Sequence, residues 1–327
     1  MKQLLLAAMT LTFASLALAE TPSAAWLREW PDTDFSRSAV AFSEILSGGP
    51  PKDGIAAIDE PMFSKVARVK PMPAASDPVL SVEIAGEARA YPLSVLIWHE
   101  IVNDTLAGVP IAITYCPLCN SGIVFDRRVQ GEQTTFGTTG KLRNSDLVMY
   151  DRATESWWQQ FDGQAILGAR LGTTLKTVPS RLESWAEFVA RNPHGLVLVP
   201  EQPQTRSYGR TPYVGYDSST RPFLYDGSYD GPGEPLMRVV AIEGVNAAWS
   251  FDFIRNAGPL RVGDLEISWR AGQASALDAA QIRDGRDVGS VLVERLHKDG
   301  SRALVVYSVP FAFAFAAFHP GATIHHD

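Results

Sequence analysis

Cysteine is nearly absent from this chain: 327 residues carry two, Cys116 and Cys119. A protein stapled by disulfides would carry more than one pair. Stability must then come from a buried core, consistent with 46% hydrophobic and 10% aromatic residues. Long apolar runs are missing as well. Beyond the N-terminal leader no segment reaches the ~18 uninterrupted apolar residues of a membrane span. Positive charge is not in excess: the net charge of −7 argues against nucleic acid or an anionic membrane as partner. Histidine is scarce, with six in all, so imidazole ligands are few. There is no Gly-rich phosphate loop and no Gly-x-Ser-x-Gly elbow. His99-Glu100 begins a His-Glu-x-x-His pattern, but Asn103 stands where its second histidine would be.

The first residues have the pattern of a secretory leader. Lys2 supplies the positive charge, Leu4 to Leu18 the apolar stretch, and Ala17-Leu18-Ala19 a small-x-small cleavage site. No lipobox cysteine follows. Cleavage near Ala19 predicts a soluble, exported protein, most simply a periplasmic one. In an oxidising compartment a free dithiol tends to close unless a metal or a dedicated reductase intervenes.

An internal similarity organises the rest. Residues 82–93 align with 240–251, each reading as strand, Gly turn, short strand and helix start at Pro92 or Ser250. Ile113-Thr114-Tyr115 aligns with Ile267-Ser268-Trp269, and 147–150 with 304–307. The expected fold class is α+β: two β-rich, mainly antiparallel pseudo-repeats packed together with short helices. The expected divisions are a leader (1–19), an N-terminal arm (20–73), a first repeat (74–200), a Pro/Gly/Tyr/Asp-rich connection (201–235) and a degenerate second repeat (236–327). The connection reads as an ordered loop laid over the surface, because its aromatics need burial. Helices are expected around 39–46, from Pro92, and over 184–192 before Pro193.

Cys116-Pro117-Leu118-Cys119 follows an apolar strand and precedes Asn120-Ser121-Gly122 and a β-branched run. Strand, tight turn, strand is the geometry of a metal knuckle; a thioredoxin-type dithiol sits instead at a helix N-terminus. A thiol-disulfide oxidoreductase using the same cysteines remains open, as does a plain structural disulfide closing a very small loop. In the second repeat Arg270, Gln273 and Ala257 stand opposite Cys116, Cys119 and His99, as expected if those three form one site. His99 is placed four residues before Asn103 on one predicted helix face. His319 and the Met149 thioether are weaker candidates. Two thiolates with an imidazole or a thioether point to copper or zinc. Residues 140–160 form a second constellation. Arg143, Asn144, Asp146, Tyr150, Trp157 and Gln159 there suit a polar cleft with an aromatic wall for a small polar ligand.

These stretches together resemble a known family. Tyr91-Pro92-Leu93, 99–104 (His-Glu-Ile-Val-Asn-Asp), 114–121 around the cysteines, 142–151 (Leu-Arg-Asn-Ser-Asp-Leu-Val-Met-Tyr-Asp) and Ala317-Phe318-His319-Pro320 look like the bacterial family called domain of unknown function 3179. The resemblance spans roughly residues 60 to 324. It implies an exported family member with those stretches as hallmarks, and it brings no activity. Ala312, Ala314 and Ala316 interrupt the C-terminal aromatic run where bulkier residues are expected.

Overall fold

Short alternating segments closed by Gly, Asn or Asp turns fold back on themselves as antiparallel hairpins, and hairpins stacked side by side make sheets. A computed structural model describes residues 21–326, so the leader predicted at 1–19 lies outside the described residues. Five sheets of four or five strands, arranged like the blades of a β-propeller, carry the fold. Strand content is 38% against 15% helix. The expected α+β class with two packed pseudo-repeats is therefore wrong. The segments that look alike fall in different blades: 82–93 belongs to the sheet built on Pro78–Ile84 and Glu87–Pro92, and 240–251 to that built on Val239–Ile242 and Ala247–Ser250. Strands of the same length and alternation recur because every blade solves the same packing problem.

Two blades position the cysteines and the polar segment 140–160. One orders Thr177–Val178, Ser121–Asp126, Val109–Cys116 and Ile101–Leu106; the other orders Ile45–Ser47, Phe136–Arg143, Asp146–Asp151, Trp157–Gln159 and Ala165–Leu167. The region 201–235 contains no strand, yet its Tyr208, Tyr213, Tyr216, Tyr225 and Tyr229 pack against the main core. No helix among the described residues is long and apolar enough to cross a membrane.

The helices are short. Trp185–Arg191 matches expectation, because Ser184 and Glu187 form a reciprocal capping box at 3.3 and 3.1 Å. The helix expected at 39–46 is replaced by one tight turn, Phe42–Glu44, and the strand Ile45–Ser47. Pairing of that strand with Phe136–Arg143 outweighs local helical spacing. The helix after Pro92 is Leu93–His99, and Glu100, with φ of 60°, ends it. Asn103 therefore lies in a strand and shares no helix face with His99. In the helix Ala312–Phe318 the alanines are not gaps: Ala312 and Ala314 have no exposed surface, Ala312 packing against Val239 and Ala248 and Ala314 against the main core.

Asn103 is a clamp between blades. Its amide nitrogen donates to Phe136 O at 2.8 Å and its oxygen accepts from Phe136 N at 2.9 Å, both buried. Asn103→Ala leaves that buried peptide pair without partners, so it is expected to cost about 2–4 kcal/mol in denaturant unfolding. A loss below about 1 kcal/mol would show that the clamp is not stabilising.

Candidate metal centre

Two hairpins from different blades build the site. In the first, Val109–Cys116 turns into Ser121–Asp126 with Cys116 opposite Ser121. Pro117 opens the turn and Asn120, at φ of 51°, closes it, its N–H reaching Pro117 O at 3.2 Å. The C-terminal part of the chain holds this knuckle from outside. Asn120 Nδ2 donates to Val309 O at 2.7 Å, and Phe311 N donates to Cys119 O at 2.9 Å.

In the second hairpin Arg143 pairs with Asp146 across a two-residue turn. Asn144 and Ser145 both have positive φ, 52° and 64°, as a type I′ turn requires. Serine is an unusual choice there, and its hydroxyl is anchored to Phe223 O at 2.5 Å. The turn's carbonyls face the knuckle: the Cys116 thiol reaches Ser145 O at 3.6 Å and the Cys119 thiol Asn144 O at 3.9 Å. Asp146 opens the return strand and points inward. One ligand atom from each of Cys116, Cys119 and Asp146 lies within 4.8 Å of the others, and all three residues are buried.

Asp146 Oδ2 accepts from Gln159 Nε2 at 2.7 Å and Phe161 N at 2.9 Å, whereas Oδ1 is buried without a partner. Burial pushes the carboxyl up to about 7, with the charge of Asp162 adding to it. Glu100 is buried nearby and pushed up to about 8 by burial and then by Asp146. Burial also raises both thiols above their ordinary value, and the Asp146 carboxylate adds to each. Four acidic groups thus sit together, and among the described residues neither carboxylate has an ion-pair partner. Two sulfurs and one carboxylate oxygen can supply three ligands to a tetrahedral ion.

The other candidates are elsewhere. His99 is not in the cluster: its Nδ1 meets Ala56 O at 2.7 Å and its Nε2 the Tyr208 hydroxyl at 2.8 Å. His319 packs against Phe315 and Phe161 and is not part of the cluster. Met149 is buried in the main core, paired with Trp158 and Thr138. The expected polar cleft is not one site. Arg143 pairs with Glu44 at 2.8 Å, while Tyr150 and Trp157 pack on Trp30 in a separate satellite core. Asn144, Asp146 and Gln159 belong to the cysteine cluster instead. Asp146 was legible as a polar residue of interest but not as a ligand. The signal was the Asn144-Ser145 pair between two alternating runs, a hairpin turn that sets Asp146 first on the return strand.

No curated protein and no solved structure is detectably similar to this chain. The family model described as "Protein of unknown function (DUF3179)" matches residues 52–322, a span that holds every residue of the cluster, and the chain belongs to that family.

Proposed function

We propose that this is an exported zinc-binding protein whose ion is held by Cys116, Cys119 and Asp146. One observation carries the reading: the buried Asp146 carboxylate has no ion-pair partner among the described residues and lies within 4.8 Å of two sulfurs on a strand–turn–strand knuckle. A buried carboxylate without a counter-charge is costly, and a divalent cation at this place supplies one. The carboxylate favours zinc over copper. A set of two thiolates with imidazole or thioether suits Cu(I), whereas a carboxylate is a hard ligand that zinc accepts. Three protein ligands leave one position for water or a substrate atom, the pattern of catalytic zinc sites rather than of closed structural ones.

The raised thiols count against disulfide exchange, which needs a thiolate near neutral pH. They suit a metal, which displaces the protons as it binds. The leader supports export, and occupancy by an ion keeps the dithiol from closing in an oxidising compartment.

The test is metal analysis of the chain purified from periplasm, where about one zinc per chain is expected. Copper exceeding zinc would overturn the choice of ion. Neither metal above the level of Cys116→Ser would remove the reading. His99→Ala should leave the zinc content and the chelator-competition affinity unchanged, because both imidazole nitrogens are engaged elsewhere. A drop of about tenfold or more in that variant would return His99 to the ligand set.

A further inference from the structure

Cys119 and Asp146 have no exposed surface and Cys116 has 2%, so an ion needs a route inward. Phe161, whose backbone touches Asp146, also lines a cavity of about 380 Å³. The Phe161 N–H holds Asp146 Oδ2 at 2.9 Å, while the Phe161 ring lines the cavity. Asp162, the next residue, and His319 line it too.

These two side chains are poised and uncommitted. Asp162 Oδ1 accepts from Gln164 N at 3.0 Å, and no ion pair engages the carboxylate among the described residues. The His319 ring rests against Phe315 at 4.8 Å and Phe161 at 5.9 Å, and neither of its nitrogens has a hydrogen-bond partner among the described residues. The two line the same cavity without pairing directly, and the charge of each acts on the other. A neutral imidazole nitrogen and a carboxylate oxygen are both ligands of zinc-like divalent cations. Two such donors hold an ion that keeps most of its water, more weakly than two thiolates and a carboxylate do. The difference in affinity directs the ion inward. The wall between the two places is thin: Asp162 is close enough for its charge to act on Asp146, and the Phe161 ring stacks on Phe318 at 4.5 Å, directly before His319.

We infer that Asp162 and His319 form a capture site for a divalent cation on the path to the Cys116–Cys119–Asp146 centre, an inference that rests on the zinc reading of that centre. Co²⁺ is the probe, because its thiolate charge-transfer band reports arrival at the sulfurs. Metal-free full-length mature protein is mixed with Co²⁺ in a stopped-flow instrument. His319→Ala and Asp162→Asn are expected to slow growth of the band about tenfold or more while leaving its final amplitude unchanged. Asp162→Glu should restore much of the rate. Wild-type rates in both variants overturn the capture site, as does slowing in Glu100→Gln instead. Loss of final amplitude in a variant with an unchanged melting temperature also overturns it, since the residue would then be a ligand of the centre. His319→Gln replaces His319→Ala if the latter does not fold. A wild-type protein that never develops the band removes the metal centre itself, and the capture site with it; a normal band with variant-insensitive rates removes only the capture site.

Discussion

Cys119→Ser and Asp146→Asn are each expected to weaken the proposed zinc binding by more than about 100-fold in chelator competition, because loss of an outer-shell partner alone typically costs 10–100-fold. The two losses differ in kind. Serine keeps the shape of the knuckle but offers a hydroxyl that does not ionise near neutral pH. Asparagine keeps the hydrogen bonds to Gln159 and Phe161 through its carbonyl and removes only the charge at the free oxygen. Binding is also steeply pH-dependent. Both thiols are protonated at neutral pH in the metal-free protein, so two protons leave as the ion enters. Affinity is then expected to rise by about 100-fold per pH unit between about pH 7 and the thiol range, and more steeply below about pH 7, where the Asp146 proton must leave as well. A shallow profile, or wild-type affinity in Asp146→Asn, would sink the three-ligand centre.

Asp146 and Glu100 are expected to withdraw stability from the metal-free protein as the pH rises from about 4 to about 8, and Asp146→Asn removes the share that is lost by about pH 7. Asp146 and Glu100 have folded-state values raised to about 7 and about 8, against ordinary values of 3.8 and 4.5. The folded state therefore holds these protons more tightly than the unfolded chain does. Stability is greatest below the unfolded values and is lost as the pH rises through the folded ones. A carboxyl held at about 7 in place of 3.8 costs the folded state on the order of 4 kcal/mol once the pH exceeds both. His99 and His319 act with the opposite sign, since burial lowers both, and their contribution is lost as the pH falls below their ordinary 6.5. The difference between wild type and Asp146→Asn at each pH isolates the carboxyl, because the histidines are common to both proteins. At pH 8 the metal-free asparagine variant should melt roughly 5–10 °C above metal-free wild type, with the gap closing in acid. Zinc should raise the melting temperature of wild type and leave that of the variant nearly unchanged. Coincident, flat profiles for the two metal-free proteins would show that Asp146 is not a buried acid.

Much of the site's local geometry is readable along the chain. Pro117 and Asn120 mark a turn, the flanking runs mark its strands, and Ser184 with Glu187 marks a helix start. Each depends on residues within four positions of one another. The third member of the cluster is not readable in that way. His99 is the natural choice, being a good ligand on a predicted polar face, but Glu100 ends the helix immediately after it and the ring turns to Ala56 and Tyr208. The repeat misleads for a related reason. Alignment detects strand, turn and helix starts, and these recur in every blade, so it cannot distinguish two packed halves from a ring of five sheets.

The residues by themselves determined one two-cysteine turn between two strands, a secretory leader pattern, and membership of a family whose hallmark stretches are all present. Tertiary structure alone decided what the cysteines face. Asp146 is 27 positions from Cys119 (146 − 119) and reaches it because the Asn144–Ser145 hairpin of another blade folds over the knuckle. The same packing excludes water from four acidic groups at once. Their protons, and the unpartnered oxygen that invites a cation, result from burial, which pairing between blades creates and local sequence does not encode.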